Sequence, residues 1–322
     1  MNIAIIGSGA YGIAVGCALA KVNKSVKIWT DSKESLETIQ KTRTKFELLG
    51  GIALPDNITF STSFAEVMEN ADLVFLMVAA KYMNSVCENI ANYANKNTHF
   101  IIGSKGVNEI TCDFMHKVLT KHIKTRNYGV ISGPTFAIDI ANGEPSALAC
   151  ATKARKTFEI CKEAFNNSNI KIRYSKDIIG LEICGTIKNV VALAAGILDG
   201  LGYKESTRAF LITECLHGIK HLIVELGGDG RTVLSYAGIG DTLLTATSTK
   251  SRNYTYGRLL AQDRKAAEEF LENNTVEGYY TLKTIYKLMK TRRIKMTTMD
   301  LIYKVVIVEG DPNMLIDHLM NI

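Results

Sequence analysis

Asn2-Ile3-Ala4-Ile5-Ile6-Gly7-Ser8-Gly9-Ala10-Tyr11-Gly12 is the stretch that decides the fold. Its apolar run is too short for a helix and suits a strand covered on both faces. It breaks directly into Gly-x-Gly-x-x-Gly, after which helical composition resumes. Strand, glycine turn and helix in that order open a dinucleotide-binding unit. The first glycine makes the tight turn and the second lets a pyrophosphate approach the backbone. The third permits close helix–strand packing, and the helix N-terminus favours the phosphate charge. Gly7, Ser8, Gly9, Ala10, Tyr11 and Gly12 are therefore candidate cofactor contacts.

Working outward, Trp29-Thr30-Asp31 closes a second strand and places a carboxylate nineteen residues after Gly12. An acid at that distance suits the adenosine ribose 2′-hydroxyl and repels a 2′-phosphate, which would favour NADH. Asp31 and Ser32 are also both able to cap the helix that follows. Further strands are predicted at Leu73–Val78, His99–Ile102, Val130–Ser132 and Ala147–Ala151, besides Ile3–Ile6 and Val26–Trp29. Amphipathic stretches lie between them, such as Met83, Val86, Cys87, Ile90, Ala91 and Ala94 at helical spacing. This alternation predicts an α/β fold, an N-terminal Rossmann-type doubly wound and mostly parallel sheet. After Tyr174 strand-like runs become rare and helical patterns dominate, so a C-terminal all-helical domain is expected. The boundary falls near 175–180, giving residues 1–178 and 179–322. Val305-Val306-Ile307-Val308 reads equally as strand or apolar helix.

Composition narrows the function. The chain has 322 residues, 47% hydrophobic and 22% charged, as expected of two soluble globular domains. A net charge of +6 is too weak a bias to argue for nucleic acid and favours a small anionic substrate. The basic stretch Lys283 to Lys295 places Lys283, Lys287 and Lys290 opposite Leu282, Ile285 and Met289, which reads as a solvated helix face. Seven scattered cysteines, never spaced as C-x-x-C, argue for reduced thiols and against a disulfide framework or zinc site, so no metal is expected. No signal peptide is read, and uncharged runs such as Val190–Leu198 fall short of the ~20 residues of a membrane span.

Three further groups carry chemistry. Gly103-Ser104-Lys105-Gly106 follows a strand, where a lysine points to the ligand end of the sheet. The apolar helix Ile183–Leu198 carries Lys188 and Asn189 in its middle. A buried ammonium is expensive and is kept only with partners or a purpose, and desolvation moves it toward proton-transfer chemistry, so Lys188 is the first acid–base candidate. Gly238-Ile239-Gly240-Asp241 presents an acid from glycines, and Ser251-Arg252-Asn253 offers the donors a phosphate requires.

Together these motifs resemble the soluble, two-domain NAD(P)-dependent glycerol-3-phosphate dehydrogenases. The likeness covers nearly the whole chain in the family's order. It runs through Gly7–Gly12, Ser104-Lys105-Gly106, Ser132-Gly133-Pro134-Thr135-Phe136-Ala137, Ile187-Lys188-Asn189-Val190 and Ala195–Gly202. It continues through Ala237–Asp241, Ser251-Arg252-Asn253 and Val276-Glu277-Gly278. The resemblance implies a cytoplasmic enzyme that reversibly reduces dihydroxyacetone phosphate to sn-glycerol 3-phosphate with NADH or NADPH, feeding glycerophospholipid synthesis. A homodimer is compatible with it. Lys188 would be the proton donor, with Lys105 and Asp241 beside it in catalysis, and Lys105 would touch both cofactor and substrate. Gly133, Thr135, Asp241, Ser251, Arg252 and Asn253 match substrate contacts, Arg252 as the principal phosphate ligand, while Asn189 and Thr245 occupy supporting positions there. Ala137, Val276, Glu277 and Arg252 match further cofactor contacts.

There are four departures from the family's pattern: Val78-Ala79-Ala80-Lys81 for Val-Pro-Ser-Gln, Asp139 for Glu, Glu214 for Arg, and Asp31 for an Arg frequent in bacterial relatives. Two rival readings share part of the pattern. Another dehydrogenase of the 6-phosphogluconate and hydroxyacid superfamily would keep the glycine loop and helical lysine without Ser251-Arg252-Asn253. A non-catalytic dinucleotide sensor would keep the loop alone.

Overall fold

The apolar runs of the N-terminal half pair into one sheet. Its strands are β1 (Asn2–Ile6), β2 (Ser25–Trp29), β3 (Ile58–Ser61), β4 (Leu73–Leu76), β5 (His99–Ile102), β6 (Tyr128–Ser132), β7 (Ser146–Ala151) and β8 (Ile170–Ser175). They lie in the order β3-β2-β1-β4-β5-β6-β7-β8. Only β6 and β7 pair antiparallel; the other neighbours are parallel. The order reverses between β1 and β4, so the carboxyl ends of these two strands form the switch point where such sheets bind ligands. The computed structural model describes residues 1–23, 25–44 and 49–322.

Two strands, β3 and β8, were not among those predicted. Both are edge strands. An edge strand covered on one face alternates rather than running apolar, and Ile170, Ile172 and Tyr174 do alternate with Lys171 and Arg173. In β3, Ile58 and Phe60 are buried and Thr59 is exposed. The fully covered strands β4 and β5 are buried at every position. The predicted amphipathic segment becomes the helix Met83–Ile90, with Met83, Val86, Cys87 and Ile90 all buried.

The chain forms two compact units, Met1–Lys105 with Asp113–Ile178, and Gly106–Cys112 with Ile179–Ile322. The short excursion 106–112 lies outside any single boundary near 178. Within the second unit it is fixed by Gly106 N–H donating to Thr186 Oγ1 at 3.1 Å. The Lys287 ammonium also donates to the carbonyls of Glu109 and Ile110, at 3.1 and 3.2 Å. Lys283, Lys287 and Lys290 are all exposed, as a solvated face requires; Lys287 in addition fastens this loop, and Lys290 pairs with Asp300 at 3.1 Å. The opposite face is as expected, with Leu282, Ile285 and Met289 fully buried. Val305 and Val306 lie in the helix Thr297–Ile307, which settles their ambiguity. All seven cysteines are free thiols.

The second unit is built on the helix Ile178–Gly200. Its length and apolarity would suffice to cross a membrane, with a mean hydropathy of 1.6, a length that the uncharged runs alone did not suggest. However, 94% of that window is buried inside the protein, which accounts for its composition. Glycines let the helix Arg252–Gln262 approach it closely. A Cβ on Gly257 would lie 2.0 Å from the Leu193 carbonyl oxygen, and one on Gly196 2.1 Å from that of Tyr254. Neither oxygen can yield without moving a helix backbone. Gly218 differs, since its added Cβ would meet the flexible end of Met296. Gly257→Ala is therefore expected to destabilise by roughly 2 kcal/mol, overriding the helix propensity it gains of about 1 kcal/mol, whereas Gly218→Ala stays near neutral. Denaturant midpoints of the two variants check this, and equal midpoints would refute the packing argument.

Candidate active site

In the first unit the glycine loop sits at the switch point. Gly7 has φ +124°, and a Cβ there would lie 2.9 Å from the Met77 carbonyl. A Cβ on Gly12 would lie 2.1 Å from the Gly7 oxygen. Both positions thus demand glycine for the fold itself. Gly9 does not: no heavy atom lies within 4 Å of a Cβ built on it. It is exposed and caps the helix Ala10–Ala20, which has no side-chain cap bond and no acid in its first turn. Backbone donors at a helix N-terminus, facing open space over a glycine, fit the pyrophosphate of a dinucleotide. Ser8 Oγ donates to Thr30 Oγ1 at 2.8 Å, tying the loop to the end of β2. Thr30 was not among the predicted site residues, and only its place before Asp31 pointed to it.

Ser32, not Asp31, caps the next helix, accepting from Ser35 N–H at 3.0 Å. The Asp31 carboxylate is thereby left exposed at the end of β2. Lys105 follows β5 and is half-buried, its ammonium 5.5 Å from the centre of the Tyr11 ring. Thr135 Oγ1 donates to the Tyr11 hydroxyl at 3.4 Å, so Tyr11 brings both candidates together. Gly133 is packed so closely that a Cβ would lie 2.5 Å from the Ala147 oxygen, while Ala137 opens the short helix Ala137–Ala141 that also holds Asp139. Ser104 Oγ donates to the Val78 carbonyl at 2.6 Å and thereby holds the Lys105 loop. Next to it Ala79 has φ −62° and ψ 148°, angles a proline would share, so this departure leaves the turn geometry intact.

In the second unit Lys188 is 7% exposed and its ammonium meets Asp241 Oδ1 at 2.5 Å; Asp241 is fully buried. The acid arrives through a π-helical turn, Tyr236–Gly240, which Ser235 caps. A Cβ on Gly238 would lie 2.1 Å from the Val233 oxygen, so this turn requires glycine. Thr245 Oγ1 donates to the Asp241 carbonyl at 2.6 Å. Beside this pair runs a chain of amides. Gly278 N–H donates to Asn253 Oδ1 at 2.8 Å, and Asn253 Nδ2 donates to Asn189 Oδ1 at 3.0 Å. Asn189 Nδ2 then donates to Glu277 Oε2 at 2.9 Å.

Ser251 caps the helix Arg252–Gln262 by accepting from Tyr254 N–H at 3.3 Å. It leaves its own hydroxyl proton to donate. Arg252, the first residue of that helix, is exposed, and its guanidinium makes no hydrogen bond or ion pair among the described residues. Val276, which precedes the helix Glu277–Arg292, is fully buried. Glu214 lies on the helix Glu205–Glu225 with His217 3.9 Å away.

Residues 2–158 match the N-terminus of NAD-dependent glycerol-3-phosphate dehydrogenase, and residues 177–317 match its C-terminus. A glycerol-3-phosphate dehydrogenase (NAD(P)+) of Agathobacter rectalis is 31% identical over 320 residues, 99% of this chain and 95% of that one. Its counterpart in Fusobacterium nucleatum is 33% identical over 298 residues, 92% of this chain and 89% of that one. The crystal structure of glycerol-3-phosphate dehydrogenase from Coxiella burnetii superposes with a TM-score of 0.92 at 26% identity, covering 99% of this chain and 98% of that one. With both halves matched in order and the dinucleotide loop formed, the chain belongs to the NAD-dependent glycerol-3-phosphate dehydrogenase family, oxidoreductases that use NAD or NADP.

Proposed function

We propose that the protein reduces dihydroxyacetone phosphate to sn-glycerol 3-phosphate, reversibly, in the cytoplasm, and so supplies glycerophospholipid synthesis. The observation that carries this reading is the Lys188 ammonium, held inside an apolar helix by Asp241. The residues present fit a dinucleotide: an uncapped helix N-terminus, open space at Gly9 and a spare carboxylate at Asp31. When bound, it supplies the hydride that reaches C2 of the substrate.

Charge then builds on the carbonyl oxygen. Lys188 Nζ gives that oxygen its proton, and in the reverse direction Lys188 takes it back. Lys105 adds a second positive charge, held by the Tyr11 ring, which lowers the cost of the developing alkoxide. Asp241 keeps Lys188 oriented, and Thr245 fixes the backbone from which Asp241 projects. Gly133 and Thr135 line the substrate at the end of β6. Ser251, Arg252 and Asn253 take the phosphate, Arg252 through its planar fork. Glu277, Val276, Ala137 and Arg252 contact the cofactor besides the glycine loop.

Lys188→Met is expected to slow the chemical step by on the order of 10²–10⁴ while NADH affinity changes little. Single-turnover absorbance at the nicotinamide band measures it, and near-normal turnover would remove Lys188 from the reaction.

Arg252→Ala is expected to cost dihydroxyacetone phosphate about 1.5–3 kcal/mol in kcat/KM, the range for charged hydrogen bonds. Unphosphorylated dihydroxyacetone, a poor substrate, should lose much less. Equal losses for the two substrates would count against phosphate recognition by Arg252.

Because Ser32 does the capping, Asp31 remains available to accept from the ribose hydroxyls, and a 2′-phosphate there would meet like charge. Lys33, two residues on and exposed, keeps the discrimination modest. The expected result is a higher kcat/KM with NADH than with NADPH, and a shift toward NADPH in Asp31→Arg. A wild-type preference for NADPH in the same steady-state assay would overturn the assignment.

A further inference from the structure

The amide chain beside Lys188 has a direction that its ends impose. An asparagine side chain offers oxygen and nitrogen at opposite corners, and which corner is which is settled only by the network around it. Here one end is the Gly278 N–H, which can only donate, so Asn253 must present Oδ1 to it at 2.8 Å. That leaves Asn253 Nδ2 to donate to Asn189 Oδ1 at 3.0 Å. Asn189 must then present Nδ2 to Glu277 Oε2, 2.9 Å away, and an ionised carboxylate accepts only. Neither amide can flip without placing donor against donor or acceptor against acceptor at two contacts. Asn189 and Asn253 are 4% and 8% exposed, so water cannot readily take over a lost partner.

Glycine closes the chain. A Cβ on Gly278 would lie 2.6 Å from the Asn189 carbonyl oxygen and 2.9 Å from Asn253 Oδ1. Only a residue without a side chain lets that amide reach Asn253. Glu277 is exposed, and in the described residues its one hydrogen-bond partner is Asn189. The orientation of this carboxylate therefore depends on Asn189 and, through it, on Asn253 of the phosphate-side tripeptide.

We infer that Asn189 and Asn253 are positioning residues for Glu277, so that Asn253, on the phosphate side, tunes cofactor affinity without touching the cofactor. This rests on the proposed function, in which Glu277 contacts the dinucleotide and Asn253 the substrate. It follows that the state of Asn253 is felt at the cofactor even with no substrate present. When phosphate draws on the second N–H of Asn253, the chain carries that polarisation to Glu277, and the two ligands become energetically linked.

The test is a cycle of NADH dissociation constants, read by fluorescence titration of the full-length protein without substrate. The variants are Asn253→Ala, Glu277→Ala and the pair, each made in the natural background and in Asn189→Leu. Asn253→Ala and Glu277→Ala should each weaken NADH about 3–10-fold, and the double variant should be no weaker than the weaker single one. In Asn189→Leu, Asn253→Ala should have no further effect. Circular dichroism and thermal midpoints establish that each variant folds, and Asn253→Ser and Asn189→Ser replace any that do not. A folded double variant whose losses multiply, or unchanged NADH affinity in Asn253→Ala, overturns the relay while the proposed function stands. Failure of the natural protein to bind NADH or turn over dihydroxyacetone phosphate overturns the proposed function and the relay with it.

Discussion

An ammonium removed from water costs several kcal/mol even after its surroundings relax, and the cost falls on whatever cannot move away. Lys188 sits in the middle of a helix whose neighbours Ile187, Val190 and Val191 are buried almost completely. Its charge has to be met inside the protein, and it is met by Asp241. Much of the second unit serves that meeting. The π-helical turn that delivers Asp241 exists because Gly238 lets it pass the Val233 backbone, and Thr245 bonds to the Asp241 carbonyl at the start of the helix that follows. Removing either charge would strand the other, which makes the pair a fixed point for the groups around it.

The close approach of the helices Ile178–Gly200 and Arg252–Gln262 has the same consequence by a different route. Gly196 and Gly257 remove the side chains that would hold the two backbones apart. At that separation a short side chain spans the gap, and Asn253 reaches Asn189. Longer amides would need a wider spacing, and shorter hydroxyls would not bridge it. Packing and polar chemistry are therefore one problem here: the glycines set the distance at which asparagine becomes the residue that fits.

Legibility in the sequence followed the physics. Strands buried on both faces announce themselves as apolar runs, and β1, β4, β5, β6 and most of β7 were readable in that way, while β2 alternates and was read from Val26, Ile28 and Trp29. The edge strands β3 and β8 were not, because one exposed face dilutes the run to four or six alternating residues. Lys188 was visible as a charge interrupting an apolar helix. Asp241 was visible as an acid presented by glycines, but no local spacing joins it to a lysine 53 residues away. The choice between Asp31 and Ser32 as cap could not be made from composition, because both side chains accept equally well. The amide chain was invisible: asparagine is ordinary in loops and helix starts, and only contact distances reveal that these two are wired in series.

One arrangement runs against local stability. The N-terminus of a helix carries partial positive charge and disfavours a cation, by about 0.3–1 kcal/mol. Yet the helix Arg252–Gln262 begins with an arginine, has no acid in its first turn, and leaves that guanidinium exposed and without a partner among the described residues. Nothing within the described residues offsets this repulsion. An anion at the same place would reverse its sign, since the backbone donors of the first turn, the Ser251 hydroxyl proton and the guanidinium would then all act on one negative charge. In the proposed function this unfavourable contact in the free protein would favour the arrival of the substrate phosphate, since among the described residues no ion pair of Arg252 has to be broken first.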